Sequence, residues 1–167
     1  QRRMETETAL SLVRDQLDIS SLCDLETDQL DEVLPLLDDQ LLKRRARHVI
    51  TENDRVLKAA EALKKGDLMG FGTLLNESHH SLRYDYEVTG EELDTLVGLA
   101  QQQKGVLGAR MMGGGFGGCG LALLEDHCVE AFIAGVAPAY RSAIGYDAAF
   151  YPVEIVDGVH EITGEVA

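Results

Sequence analysis

The stretch "VLGARMMGGGFGGCGLALL", Val106 to Leu124, sets five glycines within six residues between two apolar runs. Glycine lacks a Cβ, so it reaches positive φ and lets a main chain come close to a ligand, at a cost in chain entropy. Gly113, Gly115 and Gly118 satisfy G-x-G-x-x-G, the dinucleotide fingerprint, which needs a strand before the loop and a helix opening directly after it. The second condition fails. Cys119 to Leu124, "CGLALL", is a short apolar run with a glycine inside it, and helical spacing resumes only after Glu125-Asp126. The stretch reads as strand, glycine loop, strand, and such a loop still presents successive N–H groups to an anion. A Walker A loop is excluded, because no Gly-Lys-Ser or Gly-Lys-Thr follows. The plainer alternative is a flexible hairpin turn, although ordinary hairpins need only one or two glycines.

Downstream of the loop, Asp126 is the expected N-cap of a helix from Cys128 to Ile144, with Val129, Phe132, Ile133, Val136 and Tyr140 facing inward and Pro138 interrupting it. The tail "AAFYPVEIVDGVHEI", Ala148 to Ile162, alternates weakly and reads as two strands turning at Asp157-Gly158, the first edge-like at Pro152. Upstream, Thr89 and Glu92 form an S/T-x-x-E capping box ahead of Leu93, Leu96, Val97 and Ala100. The clearest pattern in the chain runs from Asp39 to Lys64, where Leu42, Ala46, Val49, Asn53, Val56, Ala60 and Leu63 step by four and three. That is a long helix with a narrow apolar seam, and Asn53 in it is expected to be buried and bonded to a neighbour. After Gly66-Asp67 a second helix carries Leu68, Phe71, Leu75, Ser78 and Leu82 on one face, so the two should pack as an antiparallel hairpin. The first seventeen residues read as a further helix, and "TDQLDEVLPLLDDQ" holds a short one ending near Pro35. Helices first, then strands interleaved with a helix, give an α+β fold: a small, mostly antiparallel sheet covered on one face by helices, in one domain over residues 1–167.

The formal charge of −14 argues against a nucleic-acid partner, because phosphate binding needs a net or clustered positive field. Arg44, Arg45 and Arg47 form a small basic cluster among acidic neighbours, read as a solvated helix face. No apolar run approaches the ~20 residues of a membrane span, and no signal peptide is visible. Three cysteines without C-x-x-C spacing fit neither a disulfide framework nor a zinc site, which points to a reducing cytoplasm. The chain opens on Gln1 rather than Met, which suggests a fragment or a processed product.

Few side chains present themselves for chemistry. In "NESHH", Asn76 to His80, Glu77 and His80 lie one helical turn apart, but two ligands are too few for a metal, and helix-surface hydrogen bonding is preferred. His79, nearer the apolar face, is read as a satisfied, partly buried histidine. Ser78 and Ser81 beside the two histidines do not make a nucleophile elbow, and no proton is evident for Asp85 to take as a general base. No metal site and no catalytic residue is assigned within the chain.

The glycine stretch closely resembles the third motif of the GHMP small-molecule kinases, in the form carried by galactokinases. "RRARHVITE" (Arg44 to Glu52), "FGTLLNESHHSLRYDYEVTGEELDTLV" (Phe71 to Val97) and "FYPVEIVDG" (Phe150 to Gly158) resemble further galactokinase segments, in galactokinase order. Met112 stands where many members have threonine, and Thr89-Gly90-Glu91 where many have Ser-Cys-Pro, which leaves the sugar preference open. The resemblance implies the C-terminal domain of a GHMP kinase, a ferredoxin-like α/β plait with extra helices, belonging to an ATP- and Mg2+-dependent enzyme that phosphorylates the anomeric hydroxyl of galactose. It implies that the catalytic aspartate, the phosphate loop, the metal and most sugar contacts belong to an amino-terminal lobe, this chain's chief partner, and that the isolated chain is inactive. It also implies that Gly113, Gly114, Gly115, Phe116, Gly117 and Gly118 line the ATP and sugar cleft, with the Phe116 ring turned into the lobe as an anchor. Arg110 pairs with a phosphate or, preferably, an acidic neighbour. Replacing Gly115 with valine should then cut phosphorylation with little loss of stability. A non-catalytic sugar sensor with a regulatory partner, or a kinase for N-acetylgalactosamine or arabinose, fits the same residues.

Overall fold

A computed structural model of the chain describes residues 1–153. Helix α1 spans Arg2–Arg14, and a looser acidic stretch follows it with a short α2 at Leu30–Val33 and a single 3₁₀ turn at Leu34–Leu36 that accommodates Pro35 near its start. Helix α3 spans Gln40–Lys64 and opens on Asp39, whose carboxylate accepts the Leu41 N–H at 2.7 Å. Helix α4, Leu68–Ser81, opens on Asp67, which accepts from the Gly70 N–H at 2.8 Å. The two are joined by three residues and pack side by side.

The apolar seam of α3 divides in two. Ala46 and Ile50 are buried with Ala9 and Val13 of α1 and with Leu22, Leu25, Val33 and Leu37 of the acidic stretch, forming the largest core cluster. Toward the α3–α4 turn the seam opens, leaving Val56, Leu57, Leu63, Leu68 and Met69 exposed, because no element among the described residues covers that end. Asn53 is half-buried and donates to the Cys23 carbonyl at 3.2 Å.

Helix α4 runs into a π turn at Leu82–Tyr86 and a left-handed residue, Glu87. Helix α5, Glu91–Gln101, then begins one residue later than its expected capping box requires. Gly90, at φ 94°, holds the cap position, and no side chain caps the helix. Thr89 is buried instead, since the positive φ that turns the chain into α5 is one that only glycine adopts freely.

Strands β1, Val106–Met111, and β2, Gly120–Leu124, pair antiparallel with Met111 opposite Gly120, and a bulge shifts the register between Val106 and Gly108. Strand, glycine loop, strand is thus the observed order. Helix α5 covers the pair, with Val97 and Ala100 against Ala109, Ala122 and Phe132. Helix α4 lies along the outer edge of β1. A methyl on Gly72 would overlap the Leu107 carbonyl and one on Gly108 would overlap Gly72, so the two backbones touch. After a 3₁₀ turn at Asp126–Cys128, helix α6 spans Val129–Ile144 and runs through Pro138. Asp126 opens that turn rather than capping α6, which has no side-chain cap. Residues 145–153 carry no strand, so the start of the expected tail pair is irregular, and its remainder lies outside the described residues. Among the described residues the sheet therefore has two strands, fewer than a full plait, and no helix is long and apolar enough to cross a membrane.

Candidate functional site

The glycine loop is carried by the β1–β2 hairpin and closed at its base, where the Met112 N–H donates to the Cys119 carbonyl at 2.7 Å. Its middle is tied down once: the Phe116 N–H donates to the Val88 carbonyl at 2.9 Å. Gly115, at φ 81°, lies so close to the same carbonyl that a methyl would overlap it. Valine there would collide with its own chain, so the expectation that Gly115 is spared in stability is corrected. Phe116 also departs from expectation. Its ring is 75% exposed, because φ of 59° turns the N–H inward to Val88 and the side chain out. The backbone, and not the ring, anchors the loop.

Gly113, Gly114, Gly117 and Gly118 are exposed, and a Cβ on any of them would meet nothing within 4 Å. Within the described residues no hydrogen bond takes their N–H groups. A bare backbone with unspent donors, held at its base and at Phe116, is suited to the oxygens of a phosphate or a sugar.

The hairpin is held from below. The Ala109 N–H donates to Asn76 Oδ1 at 2.8 Å, and the Met111 N–H to His79 Nδ1 at 3.2 Å. His79 is buried, as the sequence suggests, with its pKa lowered by that burial; accepting at Nδ1 leaves the ring proton on Nε2, 3.5 Å from Asp94 Oδ1. His80 is exposed and packs on Tyr84, and Glu77 is exposed. Beneath Met111, Leu82, Val88 and Leu93 form a small apolar floor.

Arg110 points away from the loop. Its Nη1 donates to Glu52 at 3.2 Å and its Nε to the Met111 carbonyl at 2.9 Å. Burial works against the Glu52 carboxylate, but hydrogen bonds from Ser78 and Arg55 and the Arg110 charge outweigh it and hold its pKa below the usual range. Ser81 joins His48, at 3.0 Å, to Asp85, also at 3.0 Å. This serine, histidine and carboxylate are no hydrolase triad, since Ser81 and His48 are both buried.

The basic cluster on α3 is not a solvated face. Arg45 is fully buried, with Nε donating to Glu5 at 2.6 Å, Nη2 to Glu87 at 2.7 Å and Nη1 to the Asp85 carbonyl. Burial works against its charge, yet the hydrogen bonds it donates to Glu87 and Glu5 hold its pKa above the ordinary value. Arg44 reaches Glu87 at 3.3 Å and Arg47 reaches Asp85 at 3.6 Å. Sequence reasoning missed this junction, and with it the Val88 seat of the loop. Elsewhere, Glu125, His127 and Cys128 bring possible ligand atoms within 4.8 Å of one another, all on the turn after β2.

The pattern described as "GHMP kinases C terminal" matches residues 59–137, from the end of α3 through the hairpin into α6. The chain carries a GHMP kinase C-terminal domain. It is 52% identical over 97% of its length to a galactokinase of Lactiplantibacillus plantarum and 51% identical to one of Enterococcus faecalis. It spans 42% of each, about two fifths of these curated relatives. Its fold superposes on the crystal structure of Lactococcus lactis galactokinase complexed with galactose, with a TM-score of 0.88 at 49% identity, covering 90% of this chain and 39% of that one.

Proposed function

We propose that this chain is the carboxy-terminal lobe of an ATP-dependent galactokinase, which transfers the γ-phosphoryl group of ATP to the anomeric hydroxyl of galactose. The glycine loop carries the reading: unspent N–H donors on an anchored hairpin, in a chain half identical to galactokinases along nearly its whole length. Phosphoryl transfer is catalysed mainly by positioning and by stabilising charge on the transferring group, so backbone donors contribute without side-chain chemistry.

In this reading Gly113, Gly114, Gly117 and Gly118 line the ATP and sugar cleft, while Gly115 and Phe116 fix the loop's height on Val88. Arg110 has a supporting role, since its pairing with Glu52 braces the strand that leads into the loop. Magnesium, when bound, neutralises charge on the nucleotide phosphates; its ligands, the catalytic base and most sugar contacts are assigned to the amino-terminal lobe. The protein is assigned to the cytoplasm.

The test is ADP release with galactose and magnesium-ATP, using this chain and the product of its full reading frame side by side. Turnover is expected only from the longer product, because positioning needs both lobes around the substrate. Release by this chain alone would overturn the division of labour. A longer product that turns over N-acetylgalactosamine or arabinose but not galactose would overturn the assignment of the sugar.

A further inference from the structure

Among the described residues, the non-glycine positions with left-handed backbone are Glu87, at φ 57°, and Phe116, at φ 59°. They flank a single hydrogen bond. Phe116 donates its N–H to the carbonyl of Val88, the residue that follows Glu87. Left-handed backbone is unfavourable for a residue with a Cβ and persists only where its surroundings over-determine it. At Glu87 those surroundings are three arginines. Arg2 of α1 donates to the Glu87 carbonyl at 3.0 Å, while Arg45 and Arg44 of α3 reach its carboxylate at 2.7 and 3.3 Å. Arg45 also holds the Asp85 carbonyl and Glu5, so both ends of the Asp85–Glu87 segment are clamped to helices that carry none of the loop.

We propose that Arg45 and Glu87 are positioning residues for the glycine loop: their ion pair fixes the Glu87–Val88 corner, and the Val88 carbonyl fixes Phe116 and Gly115. The clamp acts through the backbone, since Glu87 presents its side chain to the arginines and only its neighbour's carbonyl to the loop. The arginine charges also hold the Glu87 carboxyl below its usual range, with the Arg45 hydrogen bond the chief cause. The consequence for catalysis rests on the galactokinase reading; the mechanical claim does not.

The test is amide exchange in this chain with Glu87→Gln, which keeps the side chain's size and removes its charge. A second variant, Glu87→Gly, also relieves the left-handed backbone, so that a fold is retained if the first is lost. Exchange at Phe116 is expected to be about ten-fold faster than in the unaltered chain, with Ala109 and Met111 changed by less than about two-fold, as local opening predicts. Equal protection at Phe116 would overturn the proposal. So would parallel acceleration at all three amides, which is what a merely structural ion pair gives. In the full-length protein, kcat of Glu87→Gln is expected to fall about five-fold or more with KM for galactose unchanged. A full kcat beside a freed Phe116 would overturn the positioning role in catalysis. If the unaltered full-length protein does not phosphorylate galactose, the galactokinase reading fails and the exchange arm alone decides the clamp.

Discussion

At the scale of single residues, the glycines of one loop fall into two kinds. Gly114 has ordinary φ and open space beside it, whereas Gly115 has φ 81° and the Val88 carbonyl against it. Gly114→Ala is expected to leave the urea midpoint unchanged, because the added methyl meets nothing within 4 Å, and, on the proposed galactokinase reading, to lower kcat of the full-length protein. Gly115→Ala is expected to lose about 1–3 kcal/mol, the usual cost of a strained backbone position, with the loop displaced from its seat. Equal urea midpoints for the two variants would sink this distinction. The loop itself was legible because dense glycine is a local signal that needs no partner to interpret. Arg45 was not. A basic triplet on an acidic helix has the pattern of a solvated face, and the carboxylates that bury it lie 40 and 42 residues away along the chain.

At the scale of elements, the long helices and the hairpin follow from period and punctuation, while the start of α5 does not. The Thr89 and Glu92 spacing matches a capping box, but the local rule is overridden by the positive φ at Gly90 and by the burial of Thr89. The α3 seam is legible as a period but its burial is not, since a repeat shows which face is apolar and not whether anything covers it. The role of α4 is hidden for a similar reason: nothing local marks Asn76, yet its Oδ1 accepts from both the Ala109 N–H and Gln101 Nε2, each at 2.8 Å. Asn76→Leu is expected to cost about 1–3 kcal/mol by leaving the strand donor unsatisfied, whereas Asn76→Asp keeps the acceptor and should cost less. Urea denaturation of the two variants checks the order. A leucine variant as stable as the unaltered chain would show that α4 holds β1 by contact alone.

For the molecule as a whole, acid sensitivity is set before the carboxylates titrate. Burial, with Tyr86 stacked on the ring at 4.4 Å, pushes His48 down to about 4 from an ordinary value of 6.5. The folded chain holds it neutral, so the unfolded chain binds this proton first. Its stabilisation is complete above about pH 6.5 and is lost as pH falls toward 4, on the order of 3 kcal/mol in all and about 2 kcal/mol between pH 7 and 5. His79, shifted in the same direction, adds to the slope. Urea midpoints at pH 7 and 5 should differ less for His48→Gln than for the unaltered chain, and an equal difference would remove His48 from the account. A last consequence comes from the edge of β1. A strand with free N–H groups along one side invites pairing with a second chain. Here the outward donors of Ala109 and Met111 are already spent on Asn76 and His79, and the Ala109 carbonyl accepts from Gln101. The side chains that steady the loop therefore also close that side of the hairpin to intermolecular strand addition, the route by which glycine-rich hairpins aggregate.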